Sequence, residues 1–274
     1  MADAMGHREK EGEPPALRLV DSHTHIDMPQ FDADRDEVVG RARAAGLVEM
    51  LLVGGVDESA GHLRALEVAA RYGLPATAGV HPHEARIADE AVYDELRGLA
   101  REGRIVAIGE IGLDFHYDHS PREAQREAFR RQVRLAREVG LPIVVHTREA
   151  DGETADILEE EGARETGGVV HCFTGGLELA RRALDLGFLI SFSGIVAFPR
   201  AEVIQQVARE VPDDRLLVET DAPFLAPPPH RGKRNEPAFV VDVARKVAAL
   251  RGATPETVGS LARANYARLF RRPV

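Results

Sequence analysis

The sequence predicts an α/β protein, a single-domain TIM-type (β/α)8 barrel. Three observations lead there. Eight apolar, β-branched runs recur, at 19–27, 48–54, 76–81, 105–109, 143–146, 169–173, 189–193 and 216–220. They are mostly continuous rather than alternating, as strands covered on both faces are. Their starts lie mostly about 27 to 30 residues apart, with a helical pattern between each pair, one strand–helix unit per step. A doubly wound open sheet is the competing architecture. It usually has fewer strands, and often a G-x-G-x-x-G turn, which is absent here.

The helix signals follow in order. Asp57 is placed to cap a helix through Ala70, with Gly73 as its stop signal. Ser120-Pro121-Arg122-Glu123 reads as a capping box ahead of a helix over Ala124–Val139. Gly140 and Gly187 close two others. After the eighth run, a proline-rich loop, Ala226–Pro229, leads into helices over Pro237–Leu250 and Pro255–Phe270. Residues 1–16 are polar, without the apolar core of a secretory signal, and read as a disordered lead-in to a domain over 17–274.

Composition narrows the function. A hydrophobic fraction of 44% supports a large core, and 29% charged residues cover a solvated surface. A net charge of −10 argues against extended groove binding to duplex nucleic acid. A polyanion would have to be met by local cations. No apolar run approaches the roughly 18 residues that span a bilayer. The single cysteine, Cys172, forms no internal disulfide and excludes a zinc site built from four cysteines. It agrees with a cytoplasmic location.

Ionisable residues interrupt the buried runs at their C-terminal ends, which in a barrel converge on one mouth. His23 and His25 are two apart on a strand, so both imidazoles can face one ion. Asp21 and Asp27 share that parity and read as carboxylates supporting the histidines from behind. Glu110 follows a buried run and reads either as a carboxylate shared by two cations or as an arginine salt bridge. His146 and His171 close equivalent runs and read as ligands. Asp221 can bind metal and accept a proton from water, or can cap a helix. Glu219, two residues earlier, supports it. His81 and His83 read as substrate contacts or as a structural turn. Cys172 reads as a packing residue, because neighbouring strand residues face opposite ways. Arg148, on the face of His146, and the loop residues Arg231, Lys233 and Arg234 are placed to meet phosphate.

Seven stretches together resemble the TatD family of metal-dependent deoxyribonucleases in the amidohydrolase-like superfamily. They are Asp21-Ser-His-Thr-His-Ile-Asp27, Gly79-Val-His-Pro-His83, Ile108-Gly-Glu-Ile-Gly-Leu-Asp114, His146-Thr-Arg-Glu-Ala150, His171-Cys-Phe-Thr-Gly175, Glu219-Thr-Asp-Ala-Pro-Phe-Leu225 and Arg231-Gly-Lys-Arg-Asn-Glu-Pro237. The resemblance implies two divalent ions, of magnesium, manganese or zinc. His23, His25 and Asp221 would hold the first, Glu110 would bridge, and His146 and His171 would hold the second. The implied activity is hydrolysis of DNA phosphodiesters, with Asp221 and Glu110 catalytic. A mouth of this kind best admits a flexible end, so the expected substrate is a single-stranded or frayed DNA strand, cut 3′-to-5′. No membrane or obligate protein partner is expected. The alternative is a same-fold ester, lactone or amide hydrolase, including a D-aminoacyl-tRNA deacylase-like activity. A non-catalytic metal-binding scaffold is a third reading.

Overall fold

The computed structural model describes residues 17–57 and 59–274. The expected lead-in lies outside the described residues. Eight strands, β1 (Leu19–Thr24), β2 (Leu47–Gly55), β3 (Ala76–Gly79), β4 (Ile108–Asp114), β5 (Ile143–Arg148), β6 (Gly168–Val170), β7 (Leu189–Phe192) and β8 (Leu216–Val218), alternate with helices. The helices are α1 (Arg35–Ala44), α2 (Gly61–Tyr72), α3 (Glu90–Arg101), α4 (Arg122–Val139), α5 (Asp151–Glu160), α6 (Leu177–Asp185), α7 (Glu202–Glu210), α8 (Val240–Arg251) and α9 (Pro255–Phe270). The strands form one parallel sheet in the order β1 to β8. A parallel bridge between Thr24 and Ala222 joins its two edges. Two backbone hydrogen bonds make that seam: His25 N donates to Ala222 O at 2.8 Å and Asp221 N to His23 O at 3.0 Å. The predicted barrel is the observed one.

Burial explains the continuous apolar runs. Every residue of β1, β4, β6, β7 and β8 is buried. The helices lie outside, each with one apolar stripe turned to the sheet. In α4 the buried positions 125, 128, 129, 132, 133, 135 and 136 recur mostly at three and four residues. Two of them are glutamines with a positioning role. Gln132 accepts from Val80 N at 2.7 Å and donates to Val80 O at 3.1 Å. Gln125 accepts from Asp114 N at 2.8 Å. α4 thereby pins the upper ends of β3 and β4.

Some boundaries differ from expectation. β4 is Ile108–Asp114, not 105–109, so Glu110 lies inside the strand. The polar residues there looked like a strand end, but Ile111 and Leu113 stay buried while Glu110, Gly112 and Asp114 alternate with them. The β4–β5 ladder pairs Gly109 with Val144 and Ile111 with Val145, leaving Glu110 as an extra, unpaired residue. Such a bulge re-aims a side chain. A similar slip in the β1–β2 ladder lies between Asp21 and Thr24. β1 ends at Thr24, so His25 stands just past it. The capping box does not form. Ser120 Oγ instead donates to His83 O at 2.7 Å, and α4 starts at Arg122 without a side-chain cap. Asp57 does accept from the first amide of α2, Gly61 N, at 3.0 Å. α2 runs to Tyr72, and Gly73 follows in the left-handed conformation, φ 70°.

Gly112 is the tightest backbone contact near the mouth. Its φ is +140°, and a Cβ there would stand 1.9 Å from His146 O. Gly112→Ala is expected to cost roughly 2–5 kcal/mol, the sum of overpacking and backbone strain. A lowered urea midpoint at unchanged slope would register it.

Candidate metal centre

Glu110 sits at the centre of the mouth, 5% exposed and ringed by imidazoles. His171 Nε2 lies 2.6 Å and His146 Nδ1 2.8 Å from its Oε1. His23 Nε2 lies 3.4 Å from Oε2. Asp221 Oδ1 is 3.7 Å from His23 Nε2 and 3.5 Å from His25 Nε2. The two β1 histidines bring their Nε2 atoms within 3.1 Å of each other. Three trios have ligand atoms within 4.8 Å of one another: His23–Glu110–His171, His23–His25–Asp221 and His81–Glu110–His146. The six residues expected as ligands therefore meet in one place.

The far nitrogens of these rings decide what the near ones offer. His25 Nδ1 is 2.9 Å from Val53 O, and a carbonyl only accepts. Nδ1 therefore carries the proton, and in the neutral ring Nε2 presents a lone pair. His171 Nδ1 faces Glu219 at 3.2 Å, and His146 Nε2 faces Asp114 at 3.2 Å. Those rings too are oriented by carboxylates from behind and present a lone pair inward, the arrangement of metal-ligating histidines. His81 is wired the other way. Its Nδ1 accepts from His83 N at 3.1 Å, so its neutral ring turns a protonated Nε2 toward Glu110, 3.5 Å away. His81 is a donor, not a lone pair.

Without a cation the cluster must balance itself with protons. Burial opposes charge on Glu110, but His171, His81 and His146 outweigh it and hold the carboxyl well below its usual range. Burial also opposes charge on His171, yet Glu110 and Glu219 lift it well above the ordinary histidine value. His25 is raised to about 9, burial being overcome by Asp221. His23 goes down through burial and the neighbouring His171. The carboxylates and inward lone pairs outnumber the fixed donors, and divalent cations fit that donor set.

The seam between β1 and β8 holds Asp221. Asp21 was expected behind a histidine ring. It instead accepts from Thr220 N at 2.9 Å, Thr220 Oγ1 at 2.5 Å and His23 N at 3.3 Å. Asn235 donates to Thr220 O at 2.8 Å and Phe224 O at 2.6 Å. Between these anchors Asp221 adopts a left-handed φ of 58° and starts no helix. Asp27 is buried near His25 but has no hydrogen-bond partner for its Oδ1.

The chain matches the model of the family described as TatD related DNase over residues 20–271. It belongs to that family. YabD of Bacillus subtilis, named as an uncharacterized metal-dependent hydrolase, is 44% identical, covering 92% of this chain and 99% of that one. The TatD protein of Cronobacter sakazakii, named as a 3′-5′ ssDNA/RNA exonuclease, is 40% identical, covering 92% and 97%. The crystal structure of YJJV, a TatD homologue of Escherichia coli K12, superposes with a TM-score of 0.87 at 30% identity, covering 94% and 100%. In this TatD-family chain no helix among the described residues is long and apolar enough to cross a membrane.

The outer residues divide. His83 Nε2 donates to Asp114 Oδ2 at 3.0 Å, beside His81. Arg148 ends β5 with its guanidinium 4.8 Å from the centre of the Tyr117 ring. Arg231 lies 4.0 Å over Phe198. Neither pairs with a carboxylate among the described residues. Arg234 does not join them: it binds both oxygens of Asp34, at 2.8 and 2.7 Å, and is structural. Cys172 is not simply packing. β6 ends at Val170, so strand alternation does not reach it; it is half-buried, with Sγ 3.1 Å from Ser193 Oγ. Burial, Asp221 and Glu219 push its thiol well up, which leaves a nucleophilic thiolate unavailable.

Asp114 was overlooked as a site residue, although it shares the parity of Glu110. Its Oδ2 accepts from His83 and His146, and its Oδ1 from His116 N at 3.0 Å and Tyr117 N at 2.9 Å. Asp114→Asn replaces one acceptor oxygen with a donor. A loss of roughly 1–3 kcal/mol in folding stability is expected, read by denaturant titration.

Proposed function

We propose that the chain is a divalent-metal-dependent hydrolase that trims single-stranded or frayed DNA ends in the 3′-to-5′ direction. The observation that carries this reading is the Glu110 carboxylate, with His23 at one oxygen and His146 and His171 at the other, while His23 in turn meets His25 and Asp221. His23, His25 and Asp221 would hold one ion, His146 and His171 another, with Glu110 between them. A histidine-rich donor set suits zinc or manganese better than magnesium. When bound, such a pair lowers the pKa of water and stabilises charge on phosphoryl oxygens.

The chain's own residues supply the rest. Asp221 orients the attacking water and takes its proton. His81 points a protonated Nε2 into the mouth, suited to a phosphoryl oxygen. His83 stands beside it. Arg148 and Arg231, free of carboxylates among the described residues, meet the flanking phosphates. Glu219 fixes His171 from behind. The net charge of −10 disfavours binding along a duplex, so contact is confined to the strand end. The name of the Cronobacter relative supports nucleic-acid ends as the substrate class. The unpaired Cys172 supports a cytoplasmic setting.

Glu110→Ala and Asp221→Ala should each abolish chelator-sensitive release of nucleotides from a single-stranded oligonucleotide. Full activity in either folded variant would sink the assignment. Glu219→Gln acts through His171. It should weaken metal affinity by roughly 10- to 100-fold, measured by titration calorimetry, with activity largely regained at saturating metal.

A further inference from the structure

We propose that Tyr117 and Phe224 are paired nucleobase platforms, holding the two bases that flank the scissile phosphate. The inference rests on the nuclease reading above and adds how the strand end is gripped.

The core requires neither ring. Among the described residues, Tyr117 and Phe224 are the aromatic members of the exposed large hydrophobics, 52% and 45% exposed. Both stand at the mouth. Tyr117 follows β4 and Phe224 follows β8, four positions apart in a ring of eight strands. Their strands therefore lie on opposite sides of the barrel, with the candidate metal centre between them. The Tyr117 ring lies 5.5 Å from His83, and the Phe224 ring 6.3 Å from His25.

The residues that build the centre also fix the platforms. Tyr117 N donates to Asp114, the carboxylate that orients His146. Phe224 N donates to Asp221 O at 2.9 Å, and Asn235 holds Phe224 O. Their distance from the reacting phosphate is thereby tied to the positions of His146 and Asp221.

The Tyr117 platform has a cation beside it with no competing carboxylate among the described residues. Arg148 lies over the Tyr117 ring, and His119 stacks against it, parallel within 7° at 5.5 Å, while the tyrosine stays 52% exposed. Arg231, later in the loop that carries Phe224, lies over the Phe198 ring, also without a carboxylate among the described residues. Elsewhere the chain's arginines are routinely paired: Arg122 with Asp118, Arg126 with Glu153, Arg134 with Glu161. An aromatic face with an uncommitted guanidinium suits one nucleotide, the base stacking and the phosphate meeting the cation. An apolar protein partner would need no such cation. Stacking accepts every base, so the grip is sequence-tolerant and short.

The test uses short single-stranded oligodeoxynucleotides with a normal base or a base-free tetrahydrofuran residue at each of the last two 3′ positions. The wild type should lose kcat/KM when either base is removed. Tyr117→Ala should lower kcat/KM on the normal strand by about 5- to 150-fold, mainly through KM. It should no longer distinguish base from no base at one position, and Phe224→Ala should do the same at the other. Tyr117→Trp should keep the discrimination. Quenching of 2-aminopurine at each position in an uncleavable methylphosphonate strand supplies a readout without turnover. The proposal is overturned if both alanine variants keep the wild-type ratio at both positions. If the wild type instead leaves every strand uncut while hydrolysing carboxylic esters, the nuclease reading fails first, and the platforms fall with it.

Discussion

A carboxylate buried inside a barrel mouth must be answered by positive charge, and the rest of the site follows from that demand. Glu110 lies where water cannot stabilise it, so its neighbours must. The extra residue in β4 turns it inward instead of into the ladder. Histidines from β1, β5 and the end of β6 come within 2.6 to 3.4 Å of it. Each of those from β5 and β6 is oriented by a further carboxylate, Asp114 or Glu219. The result is a layered arrangement: acid at the centre, imidazoles around it, acids again outside. Divalent cations complete such a set better than protons do, because several lone pairs converge at once.

The barrel was legible because its strands are buried on both faces and its period is regular. The six candidate ligands stand out in the sequence because a charged residue on a buried run is costly and needs a reason, and the structure brings them together. What escaped was anything decided by local register. Glu110 looked like a terminus because glycines and acids follow it, and only the ladder reveals a bulge within a longer strand. Asp114 was hidden by the same misplaced boundary. Asp21 has the right parity to back a histidine, but closure of the barrel brings Thr220 to it first. The Ser120 capping box failed because the same hydroxyl had a tertiary partner in His83 O. Arg234 looked like its neighbours Arg231 and Lys233 until Asp34, two hundred positions away in sequence, claimed it.

Tautomers separate two kinds of histidine that spacing cannot. His23-Thr24-His25 and His81-Pro82-His83 have the same spacing, and both reach the mouth. His25 donates from Nδ1 to Val53 O and presents a lone pair. His81 accepts at Nδ1 from His83 N and presents N–H. One backbone contact behind each ring therefore decides whether it suits a cation or an oxygen.

The loop after β8 carries an unequal distribution of constraint. Its inner part, from Asp221 to Phe224, is held by Asn235 and by the seam with β1. Its far end is clamped to α1 and the segment before it, through Arg41 on Glu236 and Arg234 on Asp34. Between those clamps, Pro228 to Lys233 is largely exposed. Mutation in that stretch meets little resistance from folding, and Arg231 is its one residue with a proposed substrate contact. A lineage could thus retune which molecules enter while inheriting the reaction intact, and the same scaffold would pass through many substrates without losing its hydrolytic machinery on the way.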